Sequence, residues 1–298
     1  MTQIEKDEIS GTDTTGHVWD GIKELNSPLP RWWIWTFYIT VIWAAGYCLA
    51  YPAIPLITDS TKGLLGYSSR AEVVAELNKA DDAKKSFLDQ IEKLPLADIR
   101  KNSDLLEFAV AGGRSAYVVN CVQCHGSGAA GSKGYPNLND DEWLWGGSLE
   151  DIFLTIRHGI RFEQDDDTRL SDMPAFGTDE ILDKNQINDV AEYVLSLSNN
   201  ATDAEAAKRG IPIYEENCVS CHAEGGVGNR ELGAPPLNNA ITLYGNSKEE
   251  IVETIANARN SVMPAWGQRL DLETIKKLTL YVHSLGGGEQ ETAALNGN

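Results

Sequence analysis

The sequence predicts an all-α protein in which one membrane-crossing helix precedes two similar small helical domains in tandem. Three observations carry this expectation. Residues 32–54 (WWIWTFYITVIWAAGYCLAYPAI) contain no charged side chain. The unit Cys-x-x-Cys-His occurs twice, as Cys121, Cys124 and His125 and as Cys218, Cys221 and His222. Around both units the same landmarks recur in the same order.

Residues 1–31 are polar, with six acidic side chains against Lys6, Lys23 and Arg31, and end in the turn-like NSPLP. The apolar run 32–54, as a helix, rises about 34 Å, enough for a hydrocarbon core of about 30 Å. Trp32, Trp33 and Trp35 at one end and Tyr47 and Tyr51 at the other form aromatic belts. A cleaved signal peptide would have a short basic leader, a shorter apolar run and a small-x-small site, so an uncleaved anchor is expected. Lys23 and Arg31 on one side balance Lys62 and Arg70 on the other, so flanking charge leaves its orientation open.

Residues 55–102 read as a linker with a helix. Ser69 and Glu72 make a capping-box pattern, and Val73, Leu77, Ala80, Phe87, Ile91 and Leu94 follow at helical spacing until Pro95. Lys84 interrupts that stripe, so the helix should lie on a partner surface only in part.

Then the chain repeats. Gly113, Tyr117 and Cys121 match Gly210, Tyr214 and Cys218; Pro136 and Leu138 match Pro235 and Leu237. GGSLEDIFLTI (146–156) matches GNSKEEIVETI (245–255), MPAFG (173–177) matches MPAWG (263–267), and AEYVLSL (191–197) matches TLYVHSL (279–285). The boundaries drawn from this are 103–200 and 201–288, with an insertion at 163–171 and a disordered tail at 289–298. Each copy should hold a helix leading into the cysteines, a proline loop, a middle helix with Ile152 or Ile251, and a last helix with Tyr193 or Tyr281. Thr202 and Glu205 should cap the first helix of the second copy. Gly113 and Gly210 should let the first and last helices cross closely, with the tyrosines packed there as core.

In Cys-x-x-Cys-His, the two thiols add across the vinyl groups of a haem and the histidine coordinates its iron. A shared four-cysteine zinc site would leave both histidines and the repeated downstream segments unexplained. Two covalent haem c groups, and hence cytochrome c (class I-like) domains, are expected. Covalent haem attachment in bacteria occurs outside the cytoplasmic membrane. That places the domains in the periplasm, residues 1–31 in the cytoplasm and the anchor, single-pass, in the inner membrane. Cys48, the fifth cysteine, lies in the anchor.

Beyond Met1 the chain has two methionines, Met173 and Met263, each before proline in the same pentapeptide. A buried methionine is usually core filler. One per haem unit, in equivalent positions, reads instead as the second axial ligand, which also raises the reduction potential. Sequence order suggests local pairing, His125 with Met173 and His222 with Met263. Pro136 and Pro235 should offer carbonyls to the far nitrogens of the histidines. Trp145, Tyr244, Arg157 and Arg259 are candidates for the haem propionates, against ordinary charge-partner roles. His17, His158 and His283 read as structural or surface residues.

The formal net charge of −19 excludes a nucleic-acid binder. Of 44 acidic and 25 basic side chains, 38 and 22 follow the anchor, a balance of −16.

HVWDGIKELNSPLPRWW (17–33), the anchor after it and the two haem units with MPAFG and MPAWG resemble the diheme subunit III of cbb3-type cytochrome c oxidases. The resemblance runs over nearly the whole chain. It implies an electron-transfer subunit, not an enzyme by itself. Such a subunit takes electrons from a donor cytochrome c toward a catalytic haem-copper subunit that reduces oxygen, beside a monohaem cytochrome c subunit. It also implies exchanged axial ligands, Met263 with His125 and Met173 with His222. The rivals are a free-standing anchored diheme cytochrome or dehydrogenase subunit, a diheme peroxidase, and a haem-based gas sensor. Peroxidase and sensor both need an open iron position.

Overall fold

The computed structural model describes residues 4–289 and divides the chain into two units, meeting between Ala83 and Lys84. The first unit begins with a feature the polar composition hid, an antiparallel hairpin of β1 (Thr14–Trp19) and β2 (Ile22–Leu25). Its turn is Asp20-Gly21, with φ of 49° and 87°, a dipeptide that favours the tight turns of two-residue hairpins.

Helix α1 (Arg31–Ala50) starts after Pro30 and has no buried residue. At 20 residues it is about 30 Å long. It stops short of the expected Ile54 because Tyr51 precedes Pro52 and takes extended angles instead of helical ones.

Helix α2 (Ser69–Lys93) opens on Ser68, whose hydroxyl accepts from the Ala71 amide. Glu72 accepts from the Tyr67 hydroxyl at 2.5 Å and closes no capping box with Ser69. Val73 and Leu77 stay exposed, and of the expected stripe only Ile91 is fully buried.

The second unit holds the rest of α2, α3 (Leu96–Lys101), α4 (Ser103–Asn120), α5 (Val122–His125), α6 (Leu149–His158) and α7 (Lys184–Leu197). It continues with α8 (Ala204–Asn217), α9 (Val219–His222), α10 (Lys248–Asn257) and α11 (Leu272–His283). Asp203, not Thr202, caps α8, accepting from the Glu205 and Ala206 amides at 3.0 Å.

The two helical bundles are not the two halves of the sequence. α11 packs on α4, and α7 packs on α8, so each last helix closes the other copy. Gly113 meets the Lys277 carbonyl and Tyr281, whereas Gly210 meets the Asp189 carbonyl and Tyr193. The tyrosines pack at these crossings, Tyr117 on Tyr281 at 5.4 Å and Tyr214 on Tyr193 at 4.9 Å. One core therefore gathers α4, α6 and α11, with Leu105, Leu149, Ile152, Leu278 and Leu280. The other gathers α7, α8 and α10, with Ile187, Val190, Tyr214 and Ile255. A boundary at residue 200 follows the repeat but cuts across both cores.

Each exchanged helix carries its own address. Lys276 of α11 donates to the carbonyls of Ile91, Glu92 and Leu94, closing the end of α2. Glu192 of α7, fully buried, accepts from the Thr202 amide and hydroxyl and the Asp203 amide and pairs with Lys248 at 2.8 Å. Burial alone would raise its pKa, but the lysine and these donors hold it down to about 2. A carboxyl so depressed stabilises the fold above its ordinary value of 4.5 and loses that contribution as pH falls toward about 2. Glu192→Gln should therefore cost about 2 kcal/mol at pH 7 and flatten the acid limb of stability, read by urea unfolding at pH 7 and pH 3.

The glycine-rich stretch after α11 is ordered as far as it is described. The Gly287 carbonyl accepts from Trp143 at 2.6 Å, and Glu289 accepts from the Gly147 amide at 2.8 Å. Glu289, the one charged side chain of that stretch among the described residues, also pairs with Arg230; the remainder of the expected tail lies outside the described residues.

Candidate haem-binding sites

Both Cys-x-x-Cys-His units sit at the same kind of junction. α4 ends at Cys121 and the single turn α5 carries Cys124 and His125; α8 ends at Cys218 and α9 carries Cys221 and His222. The bend at each first cysteine sets two thiols and an imidazole along one short helical turn. Tyr117 and Tyr214, buried at these helix ends, donate to the Gly126 and Ala223 carbonyls at 2.9 Å and hold the turns in place.

His125 Nδ1 lies 3.2 Å from the Pro136 carbonyl, and His222 Nδ1 lies 3.0 Å from that of Pro235. A carbonyl only accepts, so each Nδ1 carries the proton and Nε2 keeps its lone pair. Burial lowers both pKa values from the ordinary 6.5, against the opposing pull of the proline carbonyls. Neutral imidazole is the ligating form.

The methionine segments follow the helix exchange. Met263 forms an antiparallel bridge with Ile160 at 2.9 and 3.0 Å, and the Trp266 and Gly267 amides donate to the Ile156 and Arg157 carbonyls. Met263 thereby packs in the core that holds Cys121 and Val122. The other segment repeats the stitch on α10: the Phe176 and Gly177 amides donate to the Ile255 and Ala256 carbonyls, and Met173 pairs with the Asn260 amide group. Met173 packs with Cys218 and Val219. The structure thus sets Met263 against the core that Cys121 joins and Met173 against the core that Cys218 joins, against the order of the sequence.

A matched pair of arginines bears on whether these residues suit a haem. Arg259 stacks on Tyr244 at 4.4 Å, and its Nη2 donates to the Glu250 carbonyl at 3.2 Å. Arg169 lies over Trp145 at 5.4 Å, and its Nη2 donates to the Asp151 carbonyl at 3.2 Å and carboxylate at 3.1 Å. Trp145 and Asp151 are the repeat equivalents of Tyr244 and Glu250. In both arginines Nε is buried without a hydrogen-bond partner. An orphaned cationic donor in each bundle suits an anionic group such as a propionate, which fits haem far better than zinc.

Arg157, the sequence candidate for this role in the first bundle, is exposed and lies over Phe153 at 5.8 Å. Arg169 was missed because alignment on the middle helix hides it. Counting back four residues from each methionine finds both Arg169 and Arg259. His158 and His283 are structural: His158 bonds Asp165 at 2.9 Å and His283 bonds the Glu289 carbonyl at 2.8 Å.

The two sites adjoin. The Gly134 amide donates to the Leu243 carbonyl at 2.9 Å, and Lys133 pairs with Glu250. Pro136 and Pro235 line one cavity of about 350 Å³, so the loops supporting the two histidines share a cleft.

Comparison with known proteins agrees along the chain. The family described as the N-terminal domain of cytochrome oxidase-cbb3, FixP, matches residues 11–58. The family described as cytochrome c oxidase, cbb3-type, subunit III matches residues 108–194 and 205–282. The chain is 51% identical over 288 residues to the cbb3-type cytochrome c oxidase subunit FixPc of Rhizobium leguminosarum bv. viciae, covering 97% of this chain and 100% of that one. It is 52% identical over 296 residues to subunit CcoP of Azospirillum brasilense (97% and 100% covered) and 49% identical over 276 to subunit CcoP of Cereibacter sphaeroides (93% and 95%).

Proposed function

The chain belongs to the subunit III family of cbb3-type cytochrome c oxidases, and from that premise we propose how its residues serve electron transfer. Two haems c would be held, one through Cys121 and Cys124, the other through Cys218 and Cys221. His125 and Met263 would ligate the iron of the first, and His222 and Met173 that of the second. The haems supply one-electron chemistry. The chain's own work is to hold both irons saturated, so that little moves between oxidation states, and to set their potentials by thioether ligation. Pro136 and Pro235 fix the imidazoles, and Arg169 and Arg259 offer Nε–H to propionates.

The observation that supports this reading is the pair of stitched methionine loops, one set against the core beside Cys121 and the other against the core beside Cys218. A peroxidase or gas sensor needs an open iron position, and two dedicated methionine loops argue against one. The subunit is accordingly not catalytic by itself. Oxygen chemistry belongs to a haem-copper subunit, reached alongside a monohaem cytochrome c subunit. The apolar α1 anchors the chain in the inner membrane, with residues 1–31 cytoplasmic and the helices from α2 onward periplasmic. Purification in mild detergent tests the assignment. Co-migration with a larger haem-copper subunit and two covalent haems per chain are expected; migration alone would favour a free-standing diheme cytochrome.

A basic donor cytochrome c should be steered by the −16 balance of charge beyond the anchor. Its rate of electron delivery should fall about tenfold as the Debye length shrinks from about 30 Å at 0.01 M salt to about 8 Å at 0.15 M. Stopped-flow reduction across ionic strength checks this, and a flat profile would move the donor to a neutral or membrane-bound carrier.

A further inference from the structure

Between α1 and α2 the chain folds back on the end of the anchor and contributes to neither haem site. We propose that residues 47–69 bind one phospholipid of the adjoining leaflet, an aminophospholipid held by its phosphate and its primary ammonium. The proposal rests on the reading that α1 spans the bilayer.

The fold-back sets the level. The Leu64 and Leu65 amides donate to the Leu49 and Ala50 carbonyls at 2.9 and 3.1 Å, satisfying acceptors that the last turn of a helix leaves open. Gly63, at φ +68°, makes this possible, because a Cβ there would overlap the Ala50 carbonyl. Leu64 and Leu65 are therefore tied to the last turn of the anchor, where hydrocarbon gives way to headgroups. Both are largely exposed, at 86% and 65%, and Ile57 is fully so. Such a concentration of bare aliphatic surface beside a membrane helix fits acyl chains better than water.

Beside it opens a cavity of about 550 Å³, lined among others by Tyr47, Tyr51, Tyr67, Asp59, Lys62 and Ser69. The three rings form a continuous wall, Tyr47 on Tyr51 at 4.7 Å and Tyr51 on Tyr67 at 5.4 Å. Tyrosine belongs at headgroup depth, and its face attracts cations. Neither Lys62 nor Asp59 has an ion-pair partner among the described residues. The Lys62 ammonium and the Asp59 carboxylate, which accepts from the Ser60 amide at 2.8 Å but has no cation beside it, complement over an aromatic wall a phosphate bearing a primary ammonium. A purely anionic headgroup would set its charge against Asp59. A quaternary ammonium would bring Asp59 no N–H donor, and free phosphate would leave both the carboxylate and the aliphatic collar unused.

The test is native mass spectrometry of the full-length chain in mild detergent with phosphatidylethanolamine, phosphatidylglycerol or phosphatidylcholine added. One phosphatidylethanolamine should be retained under activation that strips the other two. The double variant Asp59→Asn, Lys62→Gln should weaken its retention about tenfold, the loss of two charge-assisted contacts. Leu64→Ser with Leu65→Ser should weaken it too, and soluble phosphoethanolamine should compete poorly. Equal retention of the three lipids, or full retention by the charge double variant, would overturn the site. So would displacement by inorganic phosphate alone, which would reveal an anion site and not a lipid site. Carbonate extraction of membranes from the producing cells separates the premise: chain in the pellet without lipid selectivity sinks the lipid site alone, while chain in the supernatant sinks the anchor reading as well.

Discussion

Cut between residues 200 and 201, neither half of this protein will fold by itself, but the two halves produced together will reassemble. Residues 1–200 contain α4 and α6 but not α11, which completes their core; the remaining piece contains α8 and α10 without α7. The obvious escape is for α7 to take the place of α11, since the two helices are repeats. Glu192 blocks it. Its repeat equivalent is Leu280, 2% exposed in the α4 core, and the equivalent of its partner Lys248 is Leu149, 1% exposed in that same core. Local pairing would set an unpartnered carboxylate among leucines, at a cost of about 3 kcal/mol or more. It would also lose the three carbonyl contacts of Lys276, for which α7 offers Asn188. Haem-stained gels and circular dichroism of the separate and co-produced halves check the expectation. Glu192→Leu in the isolated first half should recover part of its helicity, and a wild-type first half that folds alone would refute the argument.

That exchange also marks the limit of what the sequence discloses. The Cys-x-x-Cys-His units, the apolar helix and the two Met-Pro segments stand out in the sequence because the chemistry proposed for them demands fixed residues at fixed spacings. The proline carbonyls on His125 and His222 were legible for the same reason. Which copy a repeated helix closes was not legible from periodicity, because α7 and α11 present nearly the same apolar face. The signal lay in one non-matching position, Glu192 against Leu280. The hairpin at Thr14–Leu25 was hidden in a polar segment although Asp20-Gly21 announces its turn. Arg169 was hidden because the insertion at 163–171 shifts the offset between the copies. Thr202 looked like a cap, yet its hydroxyl serves Glu192 and Asp203 caps the helix. In each case a side chain with two available uses was claimed by a partner distant in sequence.

The second large effect concerns which methionine serves which histidine. With both haems in place, Met173→Leu or Met263→Leu should each remove about half of the sulfur-to-iron charge-transfer absorption of the oxidised protein, one of two thioether ligands being lost. Leucine keeps the volume and apolar contacts of the packed side chain, so the bundle should survive where alanine would leave a cavity. The pairing is read in a background that carries a single haem. With Cys121→Ser and Cys124→Ser, only the haem held at Cys218 and Cys221 remains. Met173→Leu should then abolish the band, open that iron to carbon monoxide and lower its potential, while Met263→Leu should leave all three unchanged. The reciprocal background, Cys218→Ser with Cys221→Ser, should reverse the assignment. The physical ground is the stitching of each loop: Met263 is hydrogen-bonded to Ile160 and packs with Cys121, while Met173 is bonded to Asn260 and packs with Cys218. To pair locally, each methionine would have to leave those backbone contacts and cross to the other core. Loss of the band to Met263→Leu in the first background would mean that the ligands follow the sequence order after all.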